Sequence, residues 1–299
     1  MTMRQIFQPP LRIEDLPAEY IRLMQIAFGT DAIKQNAWTE WQSTADFDRM
    51  TTGSLLVPAA FHGVADQPST AVLRRMRGAF NKSWLHANVL REKMAPLLGK
   101  IADSGVDCCL GDDFALALVR YPNPGMRPIF EATLYCAPAD RPELDSLLGS
   151  GPFASTPCNG WRVTDQAILR VRGLAGPRTP GGTCNTNTFA IPVLDPTRQF
   201  WCSFLAARPQ PLLRVLDIGC LVKYSGEQIS WHPIFDRARA EGKQKALYDL
   251  AGFLENTLGL ELSTEAQGML GQYSGQAPTN GVAQQAQSIF WNIRNGMQG

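Results

Sequence analysis

The chain has 299 residues, which is enough to bury one large or two small hydrophobic cores. Hydrophobic residues make up 44% of the sequence and charged residues only 18%, a composition that predicts a globular protein rather than a disordered one. The formal net charge is +1, so the overall charge favours neither nucleic acid nor an anionic membrane surface as a partner.

The sequence also bears on the cellular compartment. No apolar run approaches the ~20 residues that are needed to cross a bilayer. The first residues, MTMRQIFQPPL, lack the apolar centre of a secretory signal. The seven cysteines are odd in number and contain no CxxC pair, which favours buried thiols over a zinc site or a disulfide framework. We therefore expect a cytoplasmic protein.

Residues 1–102 have the pattern of an N-terminal helical region. The longest predicted helix runs from about Ser69 to Ile101, because apolar residues recur there at steps of three and four. Four of them, which we expect to be buried, are Leu73, Phe80, Trp84 and Met94. Three basic residues on the opposite turns, which we expect to be exposed, are Arg74, Arg77 and Lys82.

Residues 103–192 carry strand patterns. Val106–Leu110 is a short apolar run that stops at Gly111, and Ile129–Cys136 alternates in the manner of a strand. A short helix is predicted at Phe114–Val119, and the prolines and glycine of Tyr121–Gly125 indicate a loop. Because side chains alternate along a strand, Glu131 and Thr133 should share one face, close to Gly111.

The remaining sequence returns to helical patterns. Residues 193–263 form a predicted C-terminal helical region, which begins where Asp195 and Pro196 suit a helix start. Residues 264–299 read as a tail with one short amphipathic helix, Ala283–Met297. The predicted fold is therefore α+β, with a small mixed β-sheet between two helical regions.

This order of strand, glycine turn, helix, loop and strand resembles the core of the nucleotidyltransferase superfamily, in particular an uncharacterised bacterial family within it. The resemblance runs from roughly residue 38 to residue 260. Its core matches are Ser104–Val106, Leu110–Gly111, Tyr121–Gly125 and Met126–Ile129, and later matches include Gln199, Arg214 and Asp217. The resemblance implies a nucleotidyltransferase-like sheet at residues 103–192.

The resemblance also implies a chemistry, namely in-line displacement at the α-phosphate of a nucleoside triphosphate. Two carboxylates on alternate residues of one strand hold a pair of magnesium ions in such sites. Here the two metal-binding aspartates of the family fall at Glu131 and Thr133, and its lysine falls at Leu110. Its later acid falls within Ala167–Arg170, which contains no carboxylate.

These departures predict a catalytically degenerate nucleotidyltransferase-like protein, a pseudoenzyme without a cofactor. We expect it to act as an accessory, binding or scaffolding partner of an unknown protein or small molecule, in a biosynthetic pathway. The alternative is an active, divergent transferase that uses magnesium to move a nucleoside monophosphate from a nucleoside triphosphate onto a protein or small molecule.

The alternative assigns roles to five residues. Glu131 would bind magnesium, with Asp112 or Asp113 completing the catalytic acids, and Gly111 and Arg127 would contact the nucleotide. A structural interpretation stands beside each assignment. Glu131 suits an exposed or salt-bridged strand residue, and Arg127 suits a structural ion pair. The two aspartates suit a loop or the positive end of the following helix.

Overall fold

The computed structural model describes residues 16–149, 154–156, 160–173, 180–185, 190–205 and 211–276. The chain divides into two units, Met1–Leu262 and Ser263–Gly299. The described part of the second unit is one helix, α11 (Thr264–Gln276). The predicted amphipathic helix at Ala283–Met297 lies outside the described residues. The first unit combines helices with one mixed β-sheet, so the α+β fold is confirmed.

Four helices precede the sheet: α1 (Ala18–Phe28), α2 (Asp31–Thr44), α3 (Val57–Gly63) and α4 (Ala71–Ser104). Helix α1 packs against both α2 and α3, and α3 packs against α4. Helix α4 begins where the Thr70 hydroxyl accepts the Leu73 N–H at 3.1 Å, and it ends before Gly105, whose φ of 76° an L side chain rarely adopts. It continues through Pro96.

The burial of α4 confirms most of its predicted faces. Leu73 and Met94 are buried and Phe80 is only partly buried, whereas Arg74, Arg77 and Lys82 are exposed. The prediction for Trp84 was wrong, because 45% of this residue is exposed. The reason is that the buried line of the helix passes from Met76 through Ser83 to Ala87, and a polar serine was not expected on it.

The described residues form a sheet of seven strands in the order β3-β4-β5-β2-β1-β7-β6. Their bounds are β1 (Cys108–Gly111), β2 (Glu131–Cys136), β3 (Ala154–Thr156), β4 (Gly160–Arg162), β5 (Ile168–Gly173), β6 (Pro180–Asn185) and β7 (Ala190–Leu194). Strand β1 is antiparallel to β2 and parallel to β7, while β5 is parallel to β2. The sequence did not predict β7, which occupies the place beside β1.

One hydrophobic core, which we call the sheet core, lies between one face of this sheet and α4. Leu110, Leu134 and Leu169 point into it, together with Leu90 and Met94 of the helix. The adjacent cysteines of β1 lie on opposite faces of the sheet. Cys108 belongs to the sheet core, whereas Cys109 packs with Tyr135 and Leu194 on the other face, and both are buried.

The helix between β1 and β2 starts earlier than predicted. Helix α5 (Asp112–Ala115) follows Gly111 directly and continues into a wider turn at Leu116–Arg120, so the two aspartates form its first turn. The other helices of the first unit are α6 (Arg141–Gly149), α7 (Pro196–Leu205), α8 (Pro211–Ser225), α9 (Trp231–Ala240) and α10 (Gln244–Gly252). In the part of the chain that the structure describes, every helix is too short or too polar to span a membrane.

Candidate functional site

The candidate site lies on the sheet face away from the sheet core, where β1 ends and α5 begins. Thr133 on β2 stands opposite Gly111 on β1, and Arg170 on β5 stands beside Thr133 on its other side. The Thr133 hydroxyl donates to the Glu131 carboxylate at 3.0 Å, so these two side chains share this face, as their alternation predicts. The strand register thus brings Gly111 close to Glu131 and Thr133, as predicted.

Both carboxylate oxygens of Glu131 are ion-paired with arginines of β5. Arg170 Nε donates to Oε2 at 3.0 Å, and Arg172 Nη2 donates to Oε1 at 2.8 Å. The Glu131 side chain is only 18% exposed, and the side chains of Arg170 and Arg172 are 31% and 41% exposed. Glu131 is therefore a salt-bridged strand residue, and a ligand at this carboxylate would compete with two cations.

The arginines outnumber the acid on this part of the sheet. In the register of β4, β5 and β2, Arg162, Arg170 and Arg172 point to the same face as Glu131, because Arg162 pairs with Ile168 and Ile168 pairs with Glu131. Arg162 is exposed at the end of β4. Among the described residues of these three strands, the face carries three arginines and one carboxylate.

Asp112 occupies the turn itself. It is 2% exposed, and its φ of 59° lies in the left-handed region, the only such value for a residue other than glycine in the part of the chain described. Aspartate tolerates this conformation better than most residues because its short side chain can hydrogen-bond locally. Here the Tyr135 hydroxyl donates to the Asp112 carboxylate at 3.1 Å.

Asp113 turns away from the sheet face into a buried charge network with Arg127 and Asp217. Arg127 Nη2 donates to the Asp113 carboxylate at 2.8 Å and to that of Asp217 at 2.9 Å, and Nε donates to Asp217 at 3.0 Å. Arg127 Nη1 also donates to the carbonyl of Pro128. The backbone N–H of Phe130 donates to the second oxygen of Asp113 at 3.3 Å. The donors of Arg127 therefore serve the interior of the protein.

The network is completed by Tyr121, whose hydroxyl donates to Asp217 at 2.9 Å. Burial, followed by the charge of Asp217, raises the pKa of this phenol well above its usual value. Burial alone would lower the pKa of Arg127, but the Asp113 and Asp217 carboxylates outweigh it, so the pKa of the guanidinium is raised. Arg127 consequently stays charged at every pH at which the protein is folded.

The residues present do not fit the pair of magnesium ions that the nucleotidyltransferase resemblance implies. Two such ions require carboxylates or other oxygen ligands that converge from adjacent positions. Glu131 holds two arginines, Thr133 supplies no charge, and Arg170 stands beside Thr133 where an acid would be needed. Within the described ranges, no three His, Cys, Asp or Glu side chains are grouped so that they could hold a metal ion.

Sequence reasoning named Glu131, Asp112, Asp113, Gly111 and Arg127, and the structure places all five around the β1–α5 turn. Glu131 lies with Thr133 on the sheet face, Asp113 lies with Arg127 in the interior, and Asp112, directly after Gly111, accepts a hydrogen bond from Tyr135. The partners that reasoning missed are Asp217, Tyr121, Arg170 and Arg172. The alternation of Arg170 and Arg172 along one strand was a usable signal, because it places both on one face.

Comparisons of this chain with models of protein families, with curated proteins and with solved structures find no match. The fold and the site by themselves define an α+β protein with a charged sheet face beside a strained turn. The nucleotidyltransferase resemblance stays a hypothesis.

Proposed function

We propose that this protein is a catalytically degenerate nucleotidyltransferase-like protein that acts as an accessory, binding or scaffolding partner. The order of its elements supports the proposal. Strand β1, the turn at Gly111, α5 and β2 follow one another along the chain, and β5 lies parallel beside β2. The order of strand, glycine turn, helix and strand is the one on which the resemblance rests.

The observation that carries the proposal is that Glu131 forms ion pairs with both Arg170 and Arg172. A magnesium ion would have to replace Arg170 and Arg172 at a carboxylate to which both donate within 3.0 Å. It would then leave two guanidinium groups beside a divalent cation, and like charges at such distances repel each other. The two arginines thus supply, on this sheet face, positive charge in the place where magnesium would otherwise bind.

That fixed charge suggests what the face binds. Guanidinium groups present planar pairs of N–H donors that match the oxygens of phosphate and carboxylate groups. Arg162, Arg170 and Arg172 present three such groups on this face, and the Glu131 carboxylate accepts hydrogen bonds from two of them. We propose that the face receives an anionic group of a protein or small-molecule partner without a divalent cation.

The main experiment is a calorimetric titration of the protein with ATP, GTP, CTP and UTP, in the presence of magnesium, of manganese or of EDTA. We expect that neither metal strengthens the binding of any nucleotide. The matched variants are Glu131→Ala and Glu143→Ala, since Glu143 is an exposed acid on α6 away from the sheet face. Micromolar binding that requires metal and disappears only in Glu131→Ala would refute the proposal and establish the active transferase.

A second titration tests the anion-binding face with inorganic phosphate in EDTA. Replacing Glu131 with Gln removes the competing negative charge, so phosphate should bind more tightly than to the wild-type protein. Replacing Arg172 with Gln should weaken binding, whereas Arg239→Gln, an exposed arginine of α9, should leave it unchanged. Equal phosphate affinity in the Glu131 and Arg172 variants would show that this face is not the binding surface.

A further inference from the structure

Helix α4 presents a regular row of exposed residues on the side opposite its buried face. The row, which we call the α4 seam, consists of Gly78, Lys82, Leu85, Val89, Glu92 and Pro96. Steps of alternately four and three residues keep these positions on one side of a helix. All six are exposed, while the buried line of the helix runs through Met76, Ser83, Ala87, Leu90 and Met94.

The centre of the α4 seam is apolar and its flanks are charged. Leu85 is 59% exposed and Val89 is 40% exposed, which makes them two of the five large hydrophobic residues that are exposed in the described part of the chain. Lys82 lies one step before Leu85, and Glu92 lies one step after Val89. Alternating steps of three and four with apolar centres are the pattern by which two helices pair.

We propose that the α4 seam binds the same seam of a second copy of this chain, with the two helices antiparallel. If the helices cross at residue 87, Leu85 of each copy faces Val89 of the other, and Lys82 of each copy faces Glu92 of the other. Each of these facing pairs, which we call layers, is then complementary, because an apolar residue faces an apolar residue or a cation faces an anion. A parallel pairing would instead oppose lysine to lysine and glutamate to glutamate, which like charges disfavour.

The charges of the α4 seam are available for this pairing. The Glu92 carboxylate is 75% exposed, and its nearest cation is Arg91 at 3.7 Å on the same helix. Lys82 is exposed on the outer side of the helix. The apolar centre is smaller than that of a standard protein interface, so we expect a dimer with a dissociation constant in the micromolar range. The pairing involves neither the sheet face nor Glu131, so it is independent of the proposed function.

Analytical ultracentrifugation of the full chain over a range of concentrations tests the proposal. Lys82→Glu or Glu92→Lys alone turns two attractive layers of each dimer into two repulsive ones. Each variant should therefore dimerise at least about tenfold more weakly than the wild-type protein. Mixing the two variants restores opposite charges in both layers of the mixed dimer, and so does combining both changes in one chain. We expect wild-type-like association in both cases, with smaller differences in high salt.

Asp165→Lys is the control, because it changes the charge of an exposed residue outside the α4 seam. It should associate like the wild-type protein, and circular dichroism should show every variant folded. A wild-type chain that remains monomeric at about 100 μM, well above a micromolar dissociation constant, would overturn the proposal. A dimer that both single variants leave intact, or that mixing does not restore, would overturn it as well.

Discussion

Arg127 donates to both carboxylate oxygens of Asp217, a residue ninety positions further along the chain, at 3.0 and 2.9 Å. Because the same guanidinium also binds Asp113, it joins α5, the segment before β2 and α8 in the interior of the protein. One cation faces two anions in this group. The additional donors, the Tyr121 hydroxyl and the Phe130 N–H, supply the hydrogen bonds that such a group needs when it is removed from water.

Replacing Arg127 with Met should destabilise the protein strongly, because it leaves Asp113 and Asp217 buried without their cation. We expect a loss of about 3–5 kcal/mol in the free energy of unfolding, measured by urea denaturation. Changing both aspartates to Asn in the Arg127→Met background should recover part of this loss, because no charge is then left unpaired. The control Arg239→Met removes an exposed arginine and should change stability by less than about 0.5 kcal/mol. Equal stability of the Arg127 and Arg239 variants would contradict this account of the network.

Replacing Gly111 with Ala tests the close packing beside the candidate site. A Cβ at this position would lie 2.5 Å from the Tyr135 ring and 2.8 Å from a Leu194 methyl group. We expect a loss of about 1–3 kcal/mol, because these buried neighbours must move. The matched control is Gly99→Ala in α4, where a Cβ meets nothing within 4 Å and should stabilise the helix by about 0.5–1 kcal/mol. Thermal unfolding of the two variants should therefore shift in opposite directions.

Asp112 allows the strain of the turn to be separated from the contact that its carboxylate makes. Asp112→Gly and Asp112→Ala both remove the acceptor of the Tyr135 hydroxyl, but only alanine keeps a Cβ at a φ of 59°. The alanine variant should be the less stable of the two by about 1 kcal/mol, as determined by chemical denaturation. Indistinguishable variants would mean that the turn relaxes to another conformation when the carboxylate is lost.

Two partly buried histidines make stability dependent on pH. Burial lowers the pKa of both His62 and His86, and the charge of Lys82 lowers that of His86 further, whereas Asp66 opposes the shift at His62. The unfolded chain therefore takes up these protons more readily than the folded protein. Their contribution to stability is complete above the unfolded pKa of about 6.5 and is lost as the pH falls below that value and through the lower pKa of the folded protein.

We therefore expect a double variant, His62→Gln with His86→Gln, to lose less stability than the wild-type protein when the pH is lowered from about 7.5 to about 5.5, a range that spans the unfolded histidine pKa. Glutamine at position 86 can also keep a hydrogen bond to Thr164, which His86 contacts at 3.1 Å. Urea denaturation at each pH, normalised to the value at the highest pH, gives the comparison. Identical slopes for both proteins would show that carboxylates alone set the acid sensitivity.

Local patterns predicted several elements of the fold because those elements depend on short-range preferences. Alternation located β2 and the shared face of Glu131 and Thr133, and helical spacing located α4 with its exposed arginines. Strand β7 escaped prediction because its five residues include Pro192 and acquire their role only by pairing with β1, far away in sequence. Trp84 was misplaced because the buried line of α4 passes through a serine.

The candidate site was predictable as a location but not as a set of contacts. The turn after β1 identified Gly111 and the two aspartates, since glycine followed by acids suits a helix start. Nothing local indicates that Asp113 pairs with Arg127 rather than facing the sheet, because that choice depends on Asp217, which α8 supplies. The partners of Glu131 likewise come from β5, which only the parallel register brings alongside.

The position of β1 between β2 and β7 makes its thiols reporters of structural opening. Cys108 and Cys109 are covered on opposite faces of the sheet, and burial raises the pKa of each thiol to about 12. The thiolate is the species that alkylating reagents attack, so neither sulfur reacts appreciably while the strand is covered. The rate at which iodoacetamide labels these two cysteines in native buffer therefore measures how often the sheet is uncovered around β1. Comparing the two rates shows whether its two faces are uncovered separately or together.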